Sequence, residues 1–143
     1  MHQSKLGRKK GHRERTLRNL ATSLFLYEKV VTTVAKAHAV VPMVERLITK
    51  ARSGDIAGRR AVLAELFDVN AVRKLFTDLE RRQGGRSFGF TRITKLPARH
   101  GDGAVRASLE LLFTPLETVL ADESNTTVKV RKATPKDSES ITK

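Results

Sequence analysis

The first twenty residues carry the side chains best suited to binding a polyanion. Seven of them are Lys or Arg and only Glu14 is acidic, so this segment holds a net charge of +6 out of +13 for the whole chain. The last thirty residues, 114–143, have no net charge. Dense Lys and Arg at one end of a chain usually contact nucleic acid or anionic lipid. The plainer alternative is a solvated, disordered basic tail.

Arg and Lys bind phosphate groups, and the planar guanidinium of Arg adds bidentate contacts and stacking on bases. Three segments offer such side chains: Lys5, Arg8, Lys9, Lys10, His12 and Arg13 in an N-terminal arm, Arg15 and Arg18 in the first helix, and Arg86, Arg92, Lys95, Arg99 and Arg106 in a hairpin. An arm combined with two folded patches follows an irregular surface. This favours folded RNA over the groove of a DNA duplex.

No residue pattern typical of catalysis or metal binding is present in the sequence. His2, His12, His38 and His100 are scattered, and no pair has the i, i+4 spacing of a helical zinc site. The chain has no Cys, which excludes disulfides and thiol catalysis and is typical of a reducing compartment. No apolar run approaches the roughly 18 residues of a membrane span. We therefore expect a cytoplasmic protein that is not an enzyme, with no cofactor, metal, membrane or small-molecule substrate.

The chain of 143 residues corresponds to one domain with two flanking segments. Residues 1–11 contain two Gly and little to bury, so we expect an extended basic arm. Residues 12–113 carry periodic apolar patterns and are expected to form a single globular domain. Residues 114–143 mix Ser, Thr, Asp, Glu and Lys, so we expect an extension that is largely disordered.

Apolar periodicity predicts two long helices near the N-terminus. The first begins at about His12, and its polar side carries Arg15, Arg18 and Thr22. The second runs from Thr33, as N-cap, to about Ser53. Pro42 either kinks this second helix, which we favour, or divides it in two. The predicted inward side chains are Leu17, Leu20, Ala21, Leu24 and Phe25 in the first helix, and Ala37, Val40, Val41, Val44, Leu47, Ile48 and Ala51 in the second.

Two shorter helices follow, over 56–67 with Asp55 as N-cap and over 70–82 with Asp68 or Asn70 as N-cap. Their close spacing is similar to a helix-turn-helix, so a DNA-binding or nucleoid-associated module is the alternative function. The second of them mixes acidic with basic residues, so we favour helices that cover a sheet. The predicted inward side chains are Leu63, Leu66 and Phe67 in the third helix, and Val72, Leu75, Phe76 and Leu79 in the fourth.

Three segments predict strands. Residues 29–34 are mostly β-branched, and period-two alternation over 87–96 and 104–113, with a turn at 97–103, predicts a β-hairpin. The second hairpin strand places on one face Val105, Ala107, Leu109, Leu111 and Phe113. We therefore predict a two-layer α/β fold of the α+β type, with a small sheet and C-terminal hairpin covered by about four helices and preceded by the arm.

Short segments spread over residues 1–113 share an order and spacing with a known family. They are Leu6-Gly7-Arg8, His12-Arg13, Leu17-Arg18-Asn19-Leu20, Ser23-Leu24, Glu28, Thr32-Thr33, Lys36-Ala37, Glu45, Leu47-Ile48-Thr49, Ala51-Arg52, Gly89-Phe90-Thr91-Arg92-Ile93, Lys95, Arg99, Gly101-Asp102, Ala104 and Glu110-Leu111. In these segments the chain resembles the L-seventeen family of bacterial large-subunit ribosomal proteins. Two departures are a more apolar stretch at 37–42 and residues 114–143, which lie beyond the common core.

The resemblance implies a structural protein that binds large-subunit (23S-type) ribosomal RNA near the exit of the nascent-chain tunnel and contacts neighbouring large-subunit proteins. It also implies an α/β fold in two layers, and we expect no homo-oligomer. The resemblance adds Lys36 to the candidate contacts. The expected RNA-binding residues are Lys5, Arg8, Lys9, Lys10, His12, Arg13, Arg15, Arg18, Lys36, Arg92, Lys95 and Arg99.

Overall fold

The structure is a computed structural model that describes residues 4–79, 82 and 86–113. The chain divides after Phe113 into two units, and the description concerns the first. The disorder predicted for 114–143 therefore lies outside the described residues, as do the first three residues of the predicted arm.

Helix α1, Lys10–Tyr27, begins two residues before the predicted start at His12. The sequence does not predict this earlier start, because the apolar periodicity begins only at Leu17. The helix thus includes the last two residues of the segment predicted to be an extended arm. Before the helix, Leu6 and Gly7 have positive φ angles of 52° and 61°. The backbone N–H of Arg8 donates to the carbonyl of Lys5 at 3.1 Å, so a turn leads into α1.

Strand β1, Lys29–Thr33, and helix α2, Val34–Arg52, follow as predicted, and Thr33 is the N-cap by position although its side chain makes no capping bond. Helix α2 is a single element that continues through Pro42, which removes the alternative of two helices. Its predicted inward face is confirmed. Six of the seven side chains are buried, and Val41 is half-buried and packs against the core.

Helix α3, Ile56–Glu65, and helix α4, Val69–Lys74, each follow an aspartate that is the N-cap. A π-helical turn, Leu75–Leu79, continues α4. The carboxylate of Asp55 accepts a hydrogen bond from the backbone N–H of Gly58 at 3.1 Å. Of the two predicted caps for α4, Asp68 is the one used, since it accepts from the N–H of Asn70 at 2.7 Å.

The predicted inward face of α3 was partly wrong. Leu63 and Phe67 are 43% and 56% exposed, whereas Val62 and Leu66 are buried. Helix α3 packs on α2 with Val62 as its buried side chain, and Leu66 and Phe67 come after the helix ends at Glu65, so they do not continue its inward face. In the fourth helix, Val72, Leu75 and Phe76 do pack into the core as predicted, while the side chain of Leu79 lies outside the described residues; the α-helix ends at Lys74.

The sheet has the order β1-β3-β2, with β2, Thr91–Leu96, and β3, Arg106–Leu111, antiparallel to each other and β3 antiparallel to β1. Both hairpin strands are shorter than predicted, because residues 86–90 form a loop and Val105, 51% exposed, precedes β3. Ala107, Leu109 and Leu111 are buried on the face that the helices cover. The two-layer α+β fold is therefore confirmed.

A partly buried ion-pair cluster joins the end of α1 to α4 and to the segment after it. Glu28 has a left-handed backbone conformation (φ 61°), and its carboxylate accepts two hydrogen bonds from Arg82, each 2.9 Å long. Lys74 Nζ lies 2.8 Å from the same carboxylate and donates to the carbonyl of Leu26. The hydrogen bonds from Arg82, with Lys74 adding to them, lower the pKa of Glu28 to about 2 despite its burial.

We predict that Glu28→Gln destabilises the fold by about 2 kcal/mol at neutral pH, because Arg82, which is 7% exposed, loses its carboxylate. The folded pKa lies below the unfolded one, so this contribution is complete above about pH 5 and is lost as the pH falls toward the folded value of about 2. Urea unfolding at several pH values measures it.

The matched control is Glu110→Gln, which removes a carboxylate that pairs with the more exposed Lys29. We expect a smaller loss of stability from this variant. Equal losses from the two variants at pH 7, or a Glu28→Gln effect that does not shrink in acid, would contradict the role given to the Glu28 cluster.

Candidate nucleic-acid interface

One exposed face of α1 is polar and contains no carboxylate, because the exposed Glu14 lies on another side of the helix. His12, Arg15 and Asn19 are exposed and follow one another at helical spacing, with Thr16 and Ser23 half-buried beside them. The first turn of the helix also lacks acidic residues. The positive end of the helix dipole therefore adds to the cationic side chains. This face can bind phosphate oxygens and other hydrogen-bonding groups.

The residues before α1 and in its first turn extend this positive surface. Lys5, Lys9 and Lys10 are exposed, and Arg13 is half-buried. Arg8 is also half-buried, and its Nη1 donates to the carbonyl of Leu6 at 3.3 Å, so its guanidinium folds back on the turn. The three lysines are the cations of this segment that are most accessible to a phosphate backbone.

Arg18 lies between α1 and α3 instead of on the exposed face. Its Nε is 3.2 Å from the Glu65 carboxylate, and its guanidinium lies over the Phe67 ring at 5.9 Å. Thr22, predicted to share the polar side with Arg15 and Arg18, is buried. The Thr22 hydroxyl donates to the carbonyl of Arg18 and accepts from the N–H of Phe67. Both side chains thus dock α1 on the end of α3, a contact that helical spacing alone cannot predict.

A second group of charges lies on the sheet face opposite the helices. The strand register places Lys29 and Arg92 on either side of Glu110. Lys29 Nζ is 2.7 Å from the Glu110 carboxylate, and this bond, the Ser108 hydroxyl and the charge of Arg92 lower the pKa of Glu110. Arg106 shares this face and donates to the carbonyl of Pro97. The face keeps an excess of positive charge, with Arg92 exposed.

Lys36 and Lys95 both lie near the start of α2. Lys36 is half-buried in the first turn of that helix, and Lys95 is exposed. A shallow hollow is lined by Thr33, Val34, Ala35, Lys95, Ala104 and Val105. The lysines therefore flank a helix start, separately from the face of α1.

Arg99 forms an ion pair with Asp102 at the tip of the hairpin. Arg99 Nε donates to Asp102 Oδ1 at 3.0 Å, and a second guanidinium nitrogen bonds the other carboxylate oxygen. These bonds lower the pKa of Asp102 to about 2 and raise the pKa of Arg99. The local carboxylate thus offsets the charge of Arg99, so this cation contributes less to an anion-binding surface than Arg92 does.

The predicted contact residues fall into four places. The arm and α1 hold most of them, and the start of α2, the sheet and the hairpin tip hold the others. Sequence reasoning left Lys29 out because its position opposite Arg92 depends on a register between distant strands. Its only sequence signal was the alternation with Val30 at the start of β1.

The described part of the chain contains no group of three or more His, Asp or Glu that could hold a metal ion. Among its helices, none is both long and apolar enough to cross a membrane.

We predict that Arg18→Met and Arg15→Met differ in stability although each removes one charge from α1. Arg18→Met loses the Glu65 pair and the Phe67 contact, which together stabilise by about 1 kcal/mol. Arg15→Met changes an exposed position, where effects stay within about 0.5 kcal/mol. Urea unfolding of the two variants measures the difference, and equal stabilities would show that Arg18 does not dock α1 on α3.

The similarity to known proteins covers largely the same part of the chain as the structure describes. A family model described as Ribosomal protein L17 matches residues 16–112. Large ribosomal subunit protein bL17 of Carboxydothermus hydrogenoformans is 45% identical over 112 residues, 78% of this chain and all of that protein. The protein of the same name from Chloroflexus aggregans is 49% identical over 107 residues, 75% of this chain and 92% of that one. That of Pseudarthrobacter chlorophenolicus is 40% identical over 131 residues, 92% of this chain and 69% of that one.

Proposed function

Because the chain belongs to the ribosomal protein L17 family and is a structural component of the bacterial large ribosomal subunit, we propose that it binds large-subunit ribosomal RNA through its N-terminal segment and α1. The family is not enzymatic, so the protein serves translation on the cytoplasmic ribosome without a catalytic site. The family resemblance predicted from the sequence is confirmed.

The observation that carries the proposal is the carboxylate-free face of α1 that holds His12, Arg15 and Asn19, together with the lysines before the helix and at its start. Lys5, Lys9 and Lys10 are exposed, and Arg15 and His12 continue the positive surface along the helix. Such a surface binds the RNA backbone by neutralising phosphates and releasing their counterions. The hydroxyls and the Asn amide on the same face suit the 2′-hydroxyl groups and base edges of RNA.

The proposal includes a location near the exit of the nascent-chain tunnel and contacts with neighbouring large-subunit proteins. The family resemblance supports this location. The several separate basic places in the fold suit a protein that touches more than one RNA segment.

The helix-turn-helix alternative loses its main support in the structure. In the described part of the segment that would serve as recognition helix, the α-helix covers the six residues Val69–Lys74 and a π-helical turn, Leu75–Leu79, follows it. Lys74 pairs with Glu28, and the guanidinium of Arg59 from the preceding helix lies over the ring of Phe76. A major-groove reader needs a longer helix whose polar side chains are available to base edges, whereas α4 is short and its Lys74 is held by Glu28.

We predict that replacing Lys5, Lys9 and Lys10 by Gln weakens binding to transcribed large-subunit rRNA and makes its salt dependence shallower. If each lysine neutralises one phosphate, the slope of log affinity against log salt falls by about 2 units. The control replaces Lys50, Arg60 and Arg73 by Gln, which removes the same charge from exposed positions elsewhere. Identical slopes for the two triple variants, or preferred binding to duplex DNA in competition, would count against the proposal.

We predict that cross-linking inside assembled large subunits connects the arm and α1 to rRNA around the tunnel exit. Mass spectrometry of the cross-linked peptides identifies the residues, and sequencing of the attached RNA gives the site. Cross-links from Lys9, Lys10 and Arg15 to RNA elsewhere on the subunit would refute the location while leaving RNA binding intact.

A further inference from the structure

Phe88 stands out as an aromatic side chain displayed to solvent. It is 82% exposed, more than any other large hydrophobic side chain in the described part of the chain. Two residues later, Phe90 is fully buried and stacks on Phe113 with ring centroids 6.4 Å apart. Gly89, between them, has a φ of 72°, a left-handed conformation that suits Gly. The backbone thus bends here, so that the Phe90 ring is in the core and the Phe88 ring is exposed to solvent.

The loop that carries Phe88 is held on both sides. Arg52 Nη1 donates to the carbonyl of Arg86 at 3.1 Å, and Arg86 Nη1 donates to the carbonyl of Leu112 at 3.2 Å. After Phe88, the N–H of Phe90 donates to the Glu45 carboxylate at 2.9 Å. The carbonyl of Phe90 accepts from the N–H of Leu112 at 2.8 Å. These bonds hold the backbone in place on either side of the exposed ring.

The surroundings of Phe88 are cationic. Arg52 and Arg86 are both exposed, and a guanidinium has five N–H donors, so a bond to one carbonyl leaves donors for a phosphate. The carboxylate in these contacts, that of Glu45, is turned inward to Phe90 and to the hydroxyl of Thr91. An exposed ring two residues after Arg86, whose carbonyl Arg52 binds, matches a nucleotide, whose base offers a π-face and whose phosphate offers an anion.

We propose that Phe88 stacks on an unpaired base of large-subunit rRNA while Arg52 and Arg86 bind the phosphates beside that base. This proposal rests on the proposed RNA-binding function and extends it to a second surface, formed by the ends of α2 and β3 and the loop 86–90. A docking site for a protein would call for a broader apolar patch than one ring. Stacking also explains why so large an apolar side chain stays outside the core.

The test uses the absence of Trp from this chain. Phe88→Trp introduces a single indole whose emission is quenched when a base stacks on it. The control, Val69→Trp, places the single indole at an exposed apolar position outside both proposed RNA-binding surfaces, 62% exposed at the start of α4. We expect saturating transcribed large-subunit rRNA to quench the indole at position 88 strongly and the one at position 69 weakly.

Affinity separates stacking from simple apolar contact. We expect Phe88→Tyr to bind the same rRNA as tightly as the unmodified chain and Phe88→Leu to bind at least about fivefold more weakly, the lower end of measured base-stacking losses. Both changes are at an exposed position, so the fold is preserved. A position-88 indole that rRNA does not quench, in a variant that binds with full affinity, overturns the stacking proposal and leaves the proposed function standing.

Two other outcomes are equally decisive. If Phe88→Leu binds rRNA normally but enters large subunits poorly, the ring contacts a ribosomal protein and the stacking proposal is wrong. If the unmodified chain itself does not bind the rRNA, the proposed function fails first, and the wild-type titration identifies that failure separately.

Discussion

The antiparallel pairing of β1 with β3 is the contact on which the rest of the fold depends. It joins Lys29 to Glu110 and Thr33 to Arg106, residues from opposite ends of the described chain. Because β2 pairs with the other side of β3, the hairpin of β2 and β3 forms one sheet with β1. Strand β1 lies between α1 and α2 in the chain, so the sheet connects these helices to the hairpin. The face of β3 that carries Ala107 and Leu109 is buried beneath the helices, so the same strand closes the core. A small sheet of this kind is stabilised when its apolar face is covered, which the helix layer does here.

The positions of the carboxylates leave this fold with a positively charged surface that suits a polyanion. Most described acidic side chains bind cations or backbone N–H groups of the body itself: Glu28, Glu65, Glu110 and Asp102 bind cations, and Glu45, Asp55 and Asp68 accept from backbone N–H groups. Their negative charge is therefore offset within the domain. The cations of the N-terminal segment and the exposed face of α1 keep their positive field, which reaches about 8–10 Å at physiological salt.

The placement of the candidate site was predicted only in part. The cluster of cations near the N-terminus followed from the sequence because neighbouring charges stay close in any conformation. The separate roles of Arg15 and Arg18 did not follow, since Arg18 is distinguished by Glu65 and Phe67 from another helix. The buried position of Thr22 depends on the same helix. Phe88 gave no signal either, because the alternation of the segment predicts a strand there, whereas the fold makes a loop.

Local patterns determined the long helices, the three strands, the aspartate caps and the basic N-terminal segment. These features depend on interactions between residues a few positions apart, whose geometry the backbone itself dictates. The tertiary structure alone decided which edge of α3 faces inward, the partners of Glu28 and the outward position of Phe88. Each depends on contacts between residues far apart in sequence, and such contacts form only when the layers of the fold have packed together.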